Sequence, residues 1–266
     1  MLIFNPNFFG YFSRMKSIVL LGTGNVATNL FLAMEKTQSF KVIQVFNHSI
    51  KSLESFGSVP TTCNYEEIKP ADIYMIAVKD DQILNVSRKL KSHDALVVHT
   101  AGGMPMNILD KHKRTGVLYP LQTFLKTRPI EFKNIPICIE AVNGKDLHLL
   151  EALAGELSGN LFKIDSSQRK SIHVAAVFVS NFVNYLYSEG EQLCRKNNIP
   201  FEILLPLIKQ TAHKVSLMSP KDAQTGPAIR NDRKVIEAHL EQLSPEQKQI
   251  YSLLTQSIQN LHGKEL

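Results

Sequence analysis

The chain has 266 residues, of which 44% are hydrophobic and 20% charged, and its formal net charge is +6 at pH 7. This balance is typical of a globular protein with one large or two smaller domains, and it excludes disordered, collagen-like and low-complexity chains. The modest basic excess suits an anionic ligand, and the absence of a run of five or six like charges argues against nucleic acid as a partner. Cys63, Cys138 and Cys194 form no CxxC pair. We therefore expect reduced thiols in a cytoplasmic protein, with no disulfide framework and no metal site.

Two apolar segments raise the question of export or membrane insertion. Residues 1–14 lack a basic start and a cleavage site, and we interpret Met15 as the native beginning of the chain. Residues 171–188 carry no formal charge, but His173, Asn181 and Asn184 would be costly in lipid. We therefore predict a core helix there and no membrane association.

Short apolar runs alternate with helical spacing through residues 15–164. Residues 17–21 contain four consecutive aliphatic side chains, which suits a strand buried on both faces of a sheet. Helices are predicted over residues 25–36 and 145–157. Further strands are predicted over residues 41–46, 72–78, 95–99, 116–119, 135–141 and 160–164. The alternation predicts an α/β fold with a doubly wound, mostly parallel sheet.

Residues 165–266 show only helical periodicity and are predicted to form an all-helical domain. Helices are predicted over residues 166–197, 201–217, 232–240 and 245–261. Asp165, Ser166 or Ser167 can cap the first of them. Two prolines and a glycine mark residues 219–227 as a loop.

The strongest chemical signal lies between the first strand and the first helix. Residues 22–27, Gly-Thr-Gly-Asn-Val-Ala, have the GxGxxA spacing of a dinucleotide-binding turn. Gly22 permits the tight turn and Gly24 leaves room for a pyrophosphate, which the helix amides would face. We predict that the cofactor phosphates are bound by Gly22, Thr23, Gly24, Asn25 and Val26. The alternative is a tight strand–helix turn without a ligand.

The end of the second strand distinguishes the two nicotinamide cofactors. An NAD site usually has an acidic residue there, which binds the ribose 2′-hydroxyl. Residues 45–51 contain no acid and instead offer Asn47, His48, Ser49 and Lys51, which are donors suited to a 2′-phosphate. We therefore predict NADP(H). The alternative is that His48 and Lys51 are solvated loop residues.

The ends of the later strands are expected to form the rim of the nicotinamide pocket, because ligands bind at the carboxyl ends of such strands. This places Val78, Thr100, Ala101 and Gly102 beside the cofactor. His99 and Gln122 are candidates for substrate binding. For His99 the alternative is a hydrogen-bonded histidine at a strand end.

Five motifs together resemble a two-domain family of proteins provisionally assigned as NADP oxidoreductases. They are Gly22–Ala27, Asn47–Ser49, His99–Gly102, Tyr119–Phe124 and Thr225–Asp232. The resemblance extends over residues 15–261 and implies a Rossmann-like domain followed by a helical domain of unassigned function. The wider group contains phosphogluconate dehydrogenase, the β-hydroxyacid dehydrogenases and pyrroline-carboxylate reductase. Two positions depart from the pattern: Tyr119 replaces an expected histidine, which weakens any acid–base role at 119, and Asn231 replaces an expected glycine.

The same resemblance implies where the catalytic residues lie. In the related dehydrogenases a lysine, with a nearby histidine or asparagine, handles the substrate's proton at the start of the long helix. This implies catalytic roles for Lys170 and His173, which share a helix face. Asn181, two turns further along, is a third catalytic candidate, and its alternative is to satisfy a helix–helix contact. The alternatives are a solvated Lys170 and an interior, hydrogen-bonded His173. The resemblance also implies a homodimer built through the helical domain.

Two further residues are candidates for substrate binding. Asn184 lies on an otherwise apolar helix, where an amide either binds substrate or satisfies a helix–helix contact. Arg230 either holds a substrate anion or forms a local ion-pair cluster with Asp232 and Arg233. Together these observations predict an NADP-dependent oxidoreductase that transfers hydride to or from a small anionic carbonyl, imine or hydroxy compound. The alternative is a non-catalytic NADP(H)-binding redox sensor that acts through a protein partner.

Overall fold

The computed structural model describes residues 14–263. The hypothesis that the chain begins at Met15 concerns residues 1–14, and all of these except Arg14 lie outside the described part. Eight strands form one sheet in the order β3-β2-β1-β4-β5-β6-β7-β8. They are β1 Lys16–Leu21, β2 Phe40–Phe46, β3 Thr61–Thr62, β4 Ile73–Ile76, β5 Leu96–His99, β6 Thr115–Pro120, β7 Ile137–Ala141 and β8 Leu161–Lys163. Only the β6–β7 pair is antiparallel. The predicted α/β fold with a mostly parallel sheet is confirmed.

Nine α-helices accompany the sheet within the described residues. They are α1 Asn25–Met34, α2 Ile83–Lys89, α3 Gly144–Leu157, α4 Ser166–Ala176, α5 Val183–Lys196, α6 Leu205–Lys214, α7 Pro227–Arg230, α8 Arg233–Gln242 and α9 Pro245–Leu261. No strand follows β8 in the described chain, which confirms the predicted helical region. None of these helices is both long and apolar enough to cross a membrane.

The two faces of the sheet carry separate hydrophobic clusters, which is why β1 reads as an unbroken aliphatic run. Ile18 and Leu20 pack into the cluster that includes α1 and α3, whereas Val19 and Leu21 pack into the cluster that includes α2. Successive side chains of a strand point to opposite faces, so both faces of β1 need apolar residues. The sheet is therefore covered on both faces by helices.

The predicted long helix over residues 166–197 differs from the structure at its centre. Asp165 caps α4 through a reciprocal pair of hydrogen bonds with Gln168, but Val177–Phe182 adopt the wider π-helical conformation before α5 begins. A π-helical stretch changes which side chains share a face on either side of it. A 3.6-residue pattern does not predict this change.

The predicted helix over residues 201–217 is shorter than expected. Residues Phe201–Leu204 form a 3₁₀ turn, and α6 begins at Leu205 with a proline in its first turn. Proline lacks an N–H and fits only the first turn of a helix, so Pro206 fixes where α6 starts. The predicted loop 219–227 ends at Gly226, and α7 begins at Pro227.

Contacts between residues divide the chain into two compact units, one ending at Asn181 and one beginning at Phe182. The predicted division into domains 15–164 and 165–266 stays a prediction. The boundary between the two compact units lies later in the chain, after α4. The sheet, α1 to α4 and most of the π-helical stretch form the first unit. Helices α5 to α9 form the second.

Candidate functional site

The turn after β1 requires glycine for reasons visible in the backbone. Gly22 has a φ of +121°, and a methyl group on its Cα would overlap the carbonyl oxygen of Ala77, the residue after β4. Strands β1 and β4 are hydrogen-bonded neighbours at the point where the strand order reverses. In open α/β sheets, ligands bind in the crevice at this switch point.

Gly24, the second glycine of the turn, has open space where Gly22 has a close neighbour. Gly24 precedes α1 with a φ of −72°, and no atom lies within 4 Å of the place where its Cβ would stand. It contributes no capping side chain, and the first turn of α1 contains no acidic residue. The first amides of a helix attract anions, so this end of α1 has the room and the polarity for a pyrophosphate. Thr23 and Ala27 beside it are buried.

The sequence did not predict that the loop over residues 125–130 lies against the first turn of α1. The side-chain oxygen of Asn25 accepts a hydrogen bond from the amide of Lys126 (3.2 Å). Asn29, which is almost fully buried, donates to the carbonyl of Leu125 and accepts from the amide of Ile130. Both asparagines were visible in the sequence, but their partners are about one hundred residues away. Asn25 therefore orients this loop in addition to its predicted place at the cofactor.

The residues predicted to select the cofactor lie directly beside the glycine turn. Leu21 pairs with Phe46, and Gly22 donates a backbone hydrogen bond to Phe46, so residues 47–51 begin next to Gly22. Asn47 is buried and its side chain donates to the Ser49 carbonyl (3.3 Å), which shapes the turn. His48 and Lys51 are exposed and Ser49 is half-buried.

The residues after β5 are largely buried. His99 has no exposed surface, and its Nδ1 accepts a hydrogen bond from the amide of Ala101 (3.2 Å). Burial, and then the positive charge of Arg169, lower the pKa of His99 to about 4, against a weaker opposing effect of the Pro105 carbonyl. The imidazole is therefore neutral at physiological pH. In this conformation it presents no surface to a substrate, as the alternative interpretation of a strand-end histidine expects.

Other rim residues differ in how far they are accessible. Thr100 is buried and its amide donates to the Ile76 carbonyl, and Ala101 and Gly102 are also buried. Val78 is half-buried after β4. Gln122 is exposed and its own side chain accepts from the amide of Thr123. These residues share the carboxyl edge of the sheet with Gly22.

The structure brings Tyr119 and His173 together at the same edge. The phenol oxygen of Tyr119, near the end of β6, lies 3.2 Å from Nδ1 of His173 on α4. Gly102 faces this pair so closely that a Cβ there would stand 2.6 Å from Cζ of Tyr119. Sequence reasoning assigned His173 a role but not Tyr119, whose contact depends on residues 54 positions apart.

Arg169 is the second residue that the sequence did not single out. It is buried at 1% exposure, forms an ion pair with Glu140, and donates to the Met104 carbonyl at 2.6 Å. This guanidinium ties α4 to β7 and to the loop after β5. A buried arginine at i−4 from His173 places that histidine on the inward face of α4, whereas Lys170 is exposed.

The remaining predicted residues are not brought to this cluster within the first unit. Asn181, the last residue of the first unit, is exposed. The hydroxyl of the neighbouring Ser180 lies 2.9 Å from the hydroxyl of Thr123. Asn184 and Arg230 are exposed residues of the second unit. Asn231 adopts a left-handed conformation with a φ of +53°, which explains why a glycine is expected there.

Comparisons with known proteins identify the relatives of this chain. A family model described as a domain of unknown function matches residues 135–258. The crystal structure of a "putative NADP oxidoreductase" from Bacteroides fragilis is 40% identical, with a TM-score of 0.85, and the match covers 94% of this chain and 99% of that one. No curated protein matches the chain in sequence.

More distant solved structures show the same fold. A Thermotoga maritima protein is 22% identical over 92% of this chain and 98% of its own, with a TM-score of 0.69. An imine reductase from Myxococcus stipitatus, solved with NADP⁺, is 14% identical over 93% of this chain and 96% of its own, with a TM-score of 0.64. At these identities the likeness concerns the fold alone.

Proposed function

Because this chain belongs to the two-domain family that includes the "putative NADP oxidoreductase" of Bacteroides fragilis, we propose that it is an NADP-dependent oxidoreductase. Its reaction is hydride transfer between the nicotinamide and a small anionic carbonyl, imine or hydroxy compound. The three separated cysteines are consistent with a cytoplasmic protein.

The observation that carries this proposal is the glycine turn at the switch point of the sheet. Gly22 has a backbone conformation that disfavours any other residue, and Gly24 leaves open space at the start of α1. A tight turn alone explains Gly22, but it does not explain an uncapped helix start that also lacks acidic residues. Gly22, Thr23, Gly24, Asn25 and Val26 would hold the cofactor phosphates.

Cofactor preference rests on the turn after β2. The exposed His48 and Lys51 and the half-buried Ser49 would contact a ribose 2′-phosphate, with Asn47 shaping the turn through its bond to Ser49. Residues 47–51, which follow β2 directly, contain no carboxylate that could bind a 2′-hydroxyl instead.

The chemistry is divided between cofactor and protein. When bound, the nicotinamide supplies or accepts the hydride, and the protein positions it and handles the proton. His173 is the better placed of the two proposed proton-handling residues, because it lies beside Tyr119 and Gly102 at the carboxyl edge. Lys170 is exposed, and Asn181, Asn184 and Arg230 complete the proposed catalytic and substrate-binding set.

We also propose that the protein is a homodimer through its helical part. Within the described second unit only two hydrophobic side chains are buried, those of Cys194 and Ala228. Large apolar side chains such as Leu207 and Leu253 are more than 60% exposed. A helical unit without a core needs a partner surface, and a second copy of the same chain is the commonest such partner.

The second candidate function is a non-catalytic NADP(H)-binding redox sensor. The observation that favours it is Tyr119, which stands where the family pattern has histidine and whose burial raises its pKa to about 12. A phenol with that pKa is a poor acid near neutral pH. Cofactor binding without turnover of any carbonyl, imine or hydroxy compound would support this candidate over the enzyme.

The test is a fluorescence titration of the full-length protein with NADPH and NADH in parallel. We expect NADPH to bind at least tenfold more tightly, because a charge-assisted contact to the 2′-phosphate contributes about 1.4 kcal/mol or more. Equal affinities would contradict the NADP preference, and binding of neither would contradict the function itself.

A matched pair of lysine variants tests whether Lys51 is responsible for the preference for NADPH over NADH. Lys51→Ala should weaken NADPH binding about tenfold and leave NADH binding almost unchanged. Lys145→Ala is the control, because Lys145 is exposed and follows β7, whose end pairs with Gly116 at the opposite edge of the sheet. An equal effect of both substitutions would indicate general electrostatics and not a 2′-phosphate contact.

A further inference from the structure

The hydrogen-bonded pair of Tyr119 and His173 has a defined geometry. The Tyr119 oxygen lies 3.2 Å from Nδ1 of His173, and the rings meet edge to face with centroids 6.1 Å apart and planes at 73°. Tyr119 is held by β6, where it pairs with Cys138 of β7, and His173 is held by α4. Both supporting elements belong to the same compact unit. The contact therefore fixes the orientation of a ring that would otherwise rotate.

The direction of this hydrogen bond follows from the surroundings of the phenol. Burial, the nearby Cys138 and the carboxylate of Asp80 all raise the pKa of Tyr119, and Arg169 opposes them only in part. The phenol therefore keeps its proton at physiological pH and donates it in a hydrogen bond. A neutral histidine that accepts at Nδ1 carries its own proton on Nε2.

The two glycines after β5 show where Nε2 lies. A Cβ on Gly102 would stand 2.7 Å from Nδ1 of His173, so Gly102 lies against the hydrogen bond itself. A Cβ on Gly103 would stand 3.7 Å from Nε2 and 3.6 Å from Oδ2 of Asp80. The loop that contains the proposed nicotinamide rim therefore passes beside both nitrogens. Only glycine fits at position 102, whereas a side chain at 103 would make ordinary van der Waals contacts.

We propose that Tyr119 is a positioning residue that holds His173 with its proton on Nε2, facing the loop of Gly102 and Gly103. There the Nε2–H group donates a hydrogen bond to the carbonyl oxygen or imine nitrogen of the substrate. This inference rests on the proposed oxidoreductase function. A donor already aimed at the atom where charge develops needs no reorganisation during the reaction. The tyrosine then has a use that does not require it to act as an acid.

The test reads the tautomer of His173 directly, in full-length protein labelled with ¹⁵N at its histidine rings and free of cofactor. The ring nitrogen shifts distinguish Nδ1–H from Nε2–H, and His173→Asn assigns the signals. We expect a single Nε2–H tautomer in the unsubstituted protein and a mixture of both tautomers in Tyr119→Phe. Circular dichroism checks that the variant is folded.

A second Tyr–His pair in the chain supplies the matched control. Tyr251 and His239, in the second unit, are also joined at Nδ1, with a separation of 2.8 Å. Tyr251→Phe should change the His239 signals and leave those of His173 in place. If Tyr119→Phe does not fold, the tautomer of His173 in the unsubstituted protein still tests the proposal, because an Nδ1–H group there could not accept a hydrogen bond from Tyr119.

The outcomes separate this inference from the function on which it rests. An Nδ1–H tautomer in the unsubstituted protein, or unchanged His173 signals in Tyr119→Phe, would overturn the role of Tyr119 even if NADPH binds. Failure of NADPH to bind the unsubstituted protein would overturn the proposed function, and with it the substrate contact of Nε2–H. The expected tautomers together with NADPH binding would support both.

Discussion

His99 ends β5 with its imidazole removed from solvent, and this explains more about stability than about substrate binding. Its Nδ1 accepts a hydrogen bond from the Ala101 amide, which orders the start of the loop after β5 that contains Gly102 and Gly103. The strand pattern predicted that a histidine would stand at this edge. It did not predict whether the side chain points into the core or out of it, because both positions are compatible with one residue at the end of a buried strand.

We predict that His99 makes the protein less stable in acid. Its folded-state pKa of about 4 lies below the unfolded value of 6.5, so its contribution is fully present above pH 6.5 and is lost as pH falls toward 4. By pH 5 the free energy of unfolding should fall by about 2 kcal/mol from this group alone. Denaturant unfolding between pH 7.5 and 5 measures it.

His99→Asn isolates this contribution. The asparagine oxygen can still accept from the Ala101 amide but does not titrate, so the variant should show a flatter dependence of unfolding free energy on pH. His48→Asn, at an exposed histidine, is the control and should keep the steep dependence of the unsubstituted protein. Parallel curves for the His99 variant and the unsubstituted protein would contradict the assignment.

At the scale of the element, short-range pattern and chain order predicted most of the sheet. Helix α9 begins and ends where the sequence predicts it, at Pro245 and Leu261, and Ser244 caps its start. The two-residue strand β3 was missed, because two residues carry no periodicity. The contact between Tyr119 and His173 was also missed, because it depends on how α4 packs against β6 and not on any local sequence.

Alanine substitutions can distinguish the roles of Gly22 and Gly24, the two glycines of the turn between β1 and α1. Gly22→Ala should destabilise the protein by about 2 kcal/mol or more, because φ is positive and Ala77 leaves no room for a methyl group. Gly24→Ala should change the free energy of unfolding by less than about 1 kcal/mol, because φ is ordinary and the space is open. Thermal and denaturant unfolding measure both.

Gly24→Ala should have a large effect on NADPH affinity, in contrast to its small effect on stability. Its added methyl group would occupy the place proposed for the pyrophosphate, so Gly24→Ala should weaken binding by at least tenfold, about 1.4 kcal/mol, in a protein of nearly normal stability. Gly144→Ala, which also meets no neighbouring atom and lies at the start of α3, is the matched control. A Gly24→Ala protein that binds NADPH normally would show that this turn has only a structural role.

At the scale of the whole molecule, the two units differ in what they bury. The sheet unit has two extensive hydrophobic clusters, whereas the helical unit exposes Leu207, Leu253 and many other large apolar side chains. Composition could not predict this contrast, since α5, α6 and α9 have the periodicity of ordinary amphipathic helices. Apolar surface of this extent in one unit is typical of an interface between protein chains.

We therefore predict that sedimentation equilibrium gives twice the chain mass of 29.9 kDa. Leu207→Glu combined with Leu253→Glu should shift the equilibrium toward the monomer by at least tenfold, because burying unpaired carboxylates in an apolar interface is unfavourable. The control combines Ile50→Glu with Leu125→Glu, two apolar positions of the sheet unit that are also more than half exposed. A monomer at micromolar concentration, or dissociation by the control alone, would contradict a dimer built through the helices.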